Sequence, residues 1–111
     1  MAIRLTVRTG GQVERLKFDS LDTALAELEQ RARDLQRTTR AKPVDTKVLG
    51  RYEPAQQVAA RLELSGPKGL KAGVDVHGDG SASAYTGRLK RHTIEERDTE
   101  SPYEALRRIV G

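Results

Sequence analysis

The sequence predicts an α+β fold: a single small domain over residues 1–111, built as two layers, with helices packed on one face of a mainly antiparallel sheet. The element order is β-β-α-β-β-β-β-α. Three observations lead to this reading. Alternating apolar segments flank a glycine turn at Gly10-Gly11, a second such pair flanks Gly78-Asp79-Gly80, and a helical apolar stripe follows the first pair. A chain of 111 residues lies in the single-domain range and buries roughly 65% of its extended surface on folding, enough for one core.

Ile3, Leu5 and Val7 alternate with Arg4, Thr6 and Arg8, the period of a half-buried strand. Gly10-Gly11 supplies the positive φ of a tight hairpin. Pairing Thr9 with Gln12 then sets Leu5 opposite Leu16 and Ile3 opposite Phe18, and turns Arg4, Arg8, Arg15 and Lys17 to the other face. After Phe18 the period becomes helical, with Leu21, Ala24, Leu25, Leu28, Ala32 and Leu35 in one stripe. Asp19 or Ser20 caps this helix, and Asp22 complements its dipole. The stripe stops at Leu35, so residues 37–43 read as a basic exit loop.

Residues 44–52 read as a strand interrupted by Gly50, and Glu53-Pro54-Ala55 as a turn. Val58, Ala60, Leu62 and Leu64 mark the next strand, which Gly66-Pro67-Lys68-Gly69 ends. Leu70, Ala72, Val74 and Val76 open the second hairpin, read as reversing at Asp79-Gly80 in a two-residue type I′ turn. That register sets His77 opposite Ala82, Val74 opposite Tyr85 and Leu70 opposite Leu89. It gathers Lys71, Asp75, His77, Thr86, Arg88, Lys90 and His92 on the polar face, with a bulge or strand end expected between Leu89 and Ile94. Ser101-Pro102-Tyr103-Glu104 combines a capping box with proline at the first helical position, and Leu106, Ile109 and Val110 give the final helix an apolar face.

Composition narrows the function. Lys plus Arg exceed Asp plus Glu by 20 to 16, a net charge of +4 that favours anionic partners. Without cysteine, disulfides, thiolate catalysis and Cys-based zinc sites are excluded. Aromatic residues make up 4% of the chain, too few for a broad base-stacking platform. The opening Met-Ala-Ile-Arg-Leu-Thr-Val-Arg has the pattern of neither a signal peptide nor a membrane span, so a cytoplasmic location without a membrane partner is the simplest expectation.

Residues suited to catalysis do not converge in this reading. In the expected register His92 lies ten residues beyond the partner of His77, about 33 Å along an extended strand, which separates the two histidines too far for a shared metal. Ser83 points away from His77, leaving Ser, His and Asp no common side for a relay. Glycine-rich phosphate loops precede helices, whereas His77-Gly78-Asp79-Gly80 lies between strands. Glu95, Glu96, Asp98 and Glu100 read as a solvated run before a helix start and do not match a calcium loop. No metal, cofactor or catalytic residue is assigned.

The basic residues remain. Arg4, Arg8, Arg15 and Lys17 on one hairpin and Lys71, Arg88 and Lys90 on the other form one patch if both hairpins share a sheet and a face. Arg37, Arg40 and Lys42, with Lys47 and Arg51, make a second basic stretch. Such patches suit phosphate contacts. From Ser20 to Val110 the order helix, antiparallel strands, helix is similar to double-stranded-RNA-binding domains and, with the strand in front, to ribosome-binding hibernation factors. The final helix departs from the first family, since Ser101, Pro102 and Glu104 stand where its lysine-rich start would be. The expectation is a non-enzymatic module contacting RNA or another acidic macromolecule, with a homodimerisation or protein-interaction domain as the alternative.

Overall fold

A computed structural model describes residues 2–41, 57–87 and 90–111. Its elements are β1 (Ile3–Thr9), β2 (Gln12–Phe18), α1 (Leu21–Ala41), β3 (Val58–Gly66), β4 (Leu70–His77), β5 (Ala82–Thr86), β6 (His92–Thr93) and α2 (Pro102–Val110). The order β-β-α-β-β-β-β-α is therefore the one the sequence predicts. The six strands form one antiparallel sheet in the spatial order β2-β1-β3-β4-β5-β6. The segments 44–52 and 53–55, read above as a strand and a turn, lie outside the described residues, and the fourth strand between the helices is His92–Thr93.

One face of the sheet carries the core. Leu5 pairs with Leu64, Val7 and Val74 with Leu62, and Ala84 with Val74, so alternation along each strand sends all of them to one side. Both helices cover that side: Ala24, Leu25, Leu28 and Ala32 of α1, with Tyr103 and Leu106 of α2, join the strand residues in a single buried cluster. Among the described residues no helix is long and apolar enough to cross a membrane.

Helix α1 starts as its sequence dictates, with Ser20 Oγ accepting from the Thr23 N–H at 3.2 Å. It runs six residues past Leu35, however, so Arg37 and Arg40 lie on a helix rather than in a loop. The apolar stripe marks only the part of the helix that faces the core. Beyond it the helix has local support: Arg37 pairs with Asp34, and the Thr38 hydroxyl donates to the Asp34 carbonyl. Lys42 is outside the described residues.

The first hairpin has the predicted register, Thr9 opposite Gln12, Leu5 opposite Leu16 and Ile3 opposite Phe18. The second is shifted by one residue: Val76 faces Ala82, Val74 faces Ala84 and Gly73 faces Tyr85. The turn explains the shift. His77 N–H donates to the Ser81 carbonyl and Gly80 N–H to the His77 carbonyl, which makes a three-residue loop of Gly78-Asp79-Gly80. Gly80 has φ +87 and Asp79 does not have a positive φ, whereas a type I′ turn would require one at both positions. The extra loop residue turns Ala82 and Ala84 to the core and places Ser83 and Tyr85 on the opposite face.

Strand β5 also ends earlier than expected. At Gly87 φ is +120, and a Cβ there would lie 2.0 Å from the Lys90 carbonyl oxygen, so only glycine permits the reversal into β6. Lys90 thus lies in a connecting segment and not on a strand, while Arg88 and Leu89 are outside the described residues. The same reversal brings His92 back opposite Thr86, which corrects the 33 Å separation expected for an extended strand.

Candidate nucleic-acid interface

The sheet face away from the helices can be assembled row by row from the pairing. One row runs Lys17, Arg4, Ser65, Lys71; the next runs Arg15, Thr6, Glu63, Gly73, Tyr85, Thr93; a third runs Val13, Arg8, Arg61, Asp75, Ser83. Arg4, Arg8, Arg15, Lys17 and Lys71 therefore share one face of one sheet. Arg37 and Arg40 belong to α1 on the other side, and Arg37 is tied to Asp34.

The two halves of this face differ in how their charges are met. On β3 to β5 the cations are matched. Arg61 donates to Asp75 at 2.8 Å, and Lys71 Nζ lies 2.9 Å from Glu63 Oε1. Arg91 approaches the other Glu63 oxygen at 3.7 Å while its guanidinium lies 4.9 Å from the centre of the Tyr85 ring, and the Tyr85 hydroxyl donates to Glu63. Burial pushes the Glu63 carboxyl up, but Lys71, Tyr85 and Arg91 outweigh it and hold the group below its ordinary value, keeping it ionised. Burial also raises the Tyr85 hydroxyl well above the usual tyrosine range.

On β1 and β2 no described acid matches the cations. Arg4, Arg8, Arg15 and Lys17 are exposed and have no acidic partner among the described residues. Glu14, the one acid of this hairpin, points to the helix side and pairs with Arg31 at 2.6 Å. Arg4 stands directly opposite Lys17, and Arg8 directly opposite Arg61. Like charges in directly opposed positions destabilise a sheet by a few tenths to about 1 kcal/mol. Lys71, predicted as a member of this group, is the exception because Glu63 on the neighbouring strand engages it diagonally.

The register shift also changes the histidine chemistry. His77, Ser83 and Asp75 share this face after all, with His77 Nε2 at 2.9 Å from Ser83 Oγ. They do not form a relay. Asp75 is engaged by Arg61, and His77 Nδ1 is buried without a hydrogen-bond partner among the described residues. Either tautomer leaves Nδ1 unsatisfied among the described residues, so His77 lacks the carboxylate at Nδ1 that orients and stabilises a catalytic imidazole.

His92 pairs with Thr86, across the sheet from His77, and among the described residues no three metal-ligating side chains gather. In the acidic run Glu100 is not merely solvated. It receives Arg108 at 3.0 Å through both carboxylate oxygens and the Arg97 N–H at 2.9 Å, and the Arg108 hydrogen bonds hold its pKa at about 2. No protein-family model matches the chain, and no curated protein or solved structure is significantly similar to it.

Proposed function

We propose that this protein is a non-enzymatic binding module that holds single-stranded RNA by its phosphates on the β1–β2 half of the open sheet face. One observation carries the reading: among the described residues Arg4, Arg8, Arg15 and Lys17 project together without a carboxylate among them, in a protein that neutralises comparable cations one strand away. The like-charge oppositions weaken the isolated fold, and a polyanion laid across them turns the same charges into attractive contacts. Recognition is of backbone and not of sequence. Tyr85, the aromatic side chain that the described residues place on this face, is buried beneath Arg91 and offers no ring for a base to stack on.

Filter binding of mixed-sequence RNA across a salt series tests this. Four phosphate contacts give a slope of about −3 in log K against log salt, or about a 50-fold loss of affinity between 50 and 200 mM. Replacing Arg8 and Arg15 together by glutamine is expected to bring the slope to about half that value. Salt-insensitive binding, or an unchanged slope in the double variant, would remove this face from consideration.

A further inference from the structure

The row Lys17, Arg4, Ser65, Lys71 is the last at its end of the open face, and the surface there is concave. A cavity of about 330 Å³ is lined by Ala2, Ile3, Arg4, Lys17, Ser65 and Gly66. A second, of about 260 Å³, shares Ser65 and Gly66 and reaches Lys71. Among the described residues no carboxylate lines either one. The walls are held by sheet pairing, Arg4 lying between Lys17 and Ser65 as direct cross-strand neighbours, with about 5 Å between Cβ atoms in such pairs. Gly66 is packed so closely on the core that a Cβ would meet Ile3 Cδ1 at 2.8 Å.

We infer that this cavity seats a terminal phosphomonoester of a polynucleotide, with Arg4 and Lys17 as its counter-ions and the Ser65 hydroxyl as a further donor. Charge selects the monoester. Two cations without an acidic partner among the described residues meet in one concavity; an internal phosphodiester carries one negative charge, whereas a monoester carries about two at neutral pH. Arginine can engage two phosphate oxygens in parallel, and lysine adds a point charge beside them. Position agrees, because the row ends the face: a strand lying over Arg8 and Arg15 reaches its last cationic row here. The nature of the remaining ligand rests on the RNA reading above, but the phosphate seat itself rests on the cavity.

The test compares fluorescence anisotropy of one single-stranded RNA in three forms: 5′-phosphorylated, 3′-phosphorylated and hydroxyl-ended. One phosphorylated form is expected to bind about tenfold tighter than the hydroxyl-ended RNA, the value of one charge-assisted contact. Arg4→Gln and Lys17→Gln each abolish that preference, whereas Arg8→Gln and Arg15→Gln weaken all three forms alike and preserve the ratio. Equal affinity of the three forms for the wild-type protein overturns the phosphate seat while leaving the RNA reading intact.

If no form binds, the RNA reading fails, and inorganic phosphate becomes the probe. Saturable amide shifts confined to Ser65, Gly66 and their neighbours and lost in Lys17→Gln then support the seat; their absence overturns it. Thermal melts distinguish lost binding from lost folding, since removing one member of a like-charge pair leaves the fold at least as stable.

Discussion

Gln36 joins three parts of the molecule through one side chain. Its Nε2 donates to the Gly80 carbonyl at 2.9 Å, and its Oε1 accepts from the Tyr103 hydroxyl, so α1 is tied both to the β4–β5 turn and to α2. Arg33 lies 4.7 Å from the centre of the Tyr103 ring, and burial raises the Tyr103 hydroxyl to about 12. Replacing Gln36 by leucine preserves the bulk and removes the acceptor, leaving a buried hydroxyl unpaired. Urea melts are expected to show a loss of about 1–3 kcal/mol. Tyr103→Phe removes the donor instead and costs less, and the double variant is less destabilised than the two losses added together. Additive losses would show that the hydrogen bond does not link these elements. Nothing in the sequence marks Gln36, because its partners are 44 and 67 residues away.

At the scale of elements, what was legible is what is local. The capping box at α2 is present as written, Ser101 Oγ accepting from Glu104 N–H and Glu104 from Ser101 N–H, because two positions three residues apart encode it. The second hairpin departs from its expected register because Asp79-Gly80 suits a two-residue turn as well as a longer loop, and one residue moves Tyr85 and Ser83 across the sheet. The four cations of β1 and β2 followed from a correctly read turn, whereas the neutralisation of Lys71 required the β3–β4 register, which no local pattern supplies.

Glu100 adds a tertiary clasp to α2 by binding Arg108 near the end of the helix. With a folded-state pKa of about 2 against an ordinary 4.5, it releases its proton more readily when folded. Its contribution is therefore complete above the ordinary value and is lost as pH falls toward 2. The melting temperature of Glu100→Gln is expected to lie below that of the wild-type protein at neutral pH, with the gap closing below about pH 4.5. A gap independent of pH would assign the effect to packing rather than ionisation.

Across the described residues, charge is arranged by layer. On the helix side acids and bases interlock: Glu27 and Glu14 hold Arg31, Glu29 holds Arg33, and Glu100 holds Arg108. The open face leaves its excess at the β2 edge, where Arg15 and Lys17 also discourage pairing with the edge of a second copy. If these cations are kept for binding rather than for the fold, stability and affinity must oppose each other at Lys17. Lys17→Glu places a carboxylate directly opposite Arg4, replacing a repulsive cross-strand pair by an attractive one. Chemical denaturation at low salt is expected to show a gain of up to about 1 kcal/mol that shrinks as salt is added, because both charges are exposed. RNA affinity measured in the same buffer is expected to fall by at least tenfold, since a cation is lost and an anion gained within the contact surface. A variant that loses both stability and affinity would show that Lys17 supports the fold itself. One that gains stability and binds RNA undiminished would place the RNA contact elsewhere on the molecule.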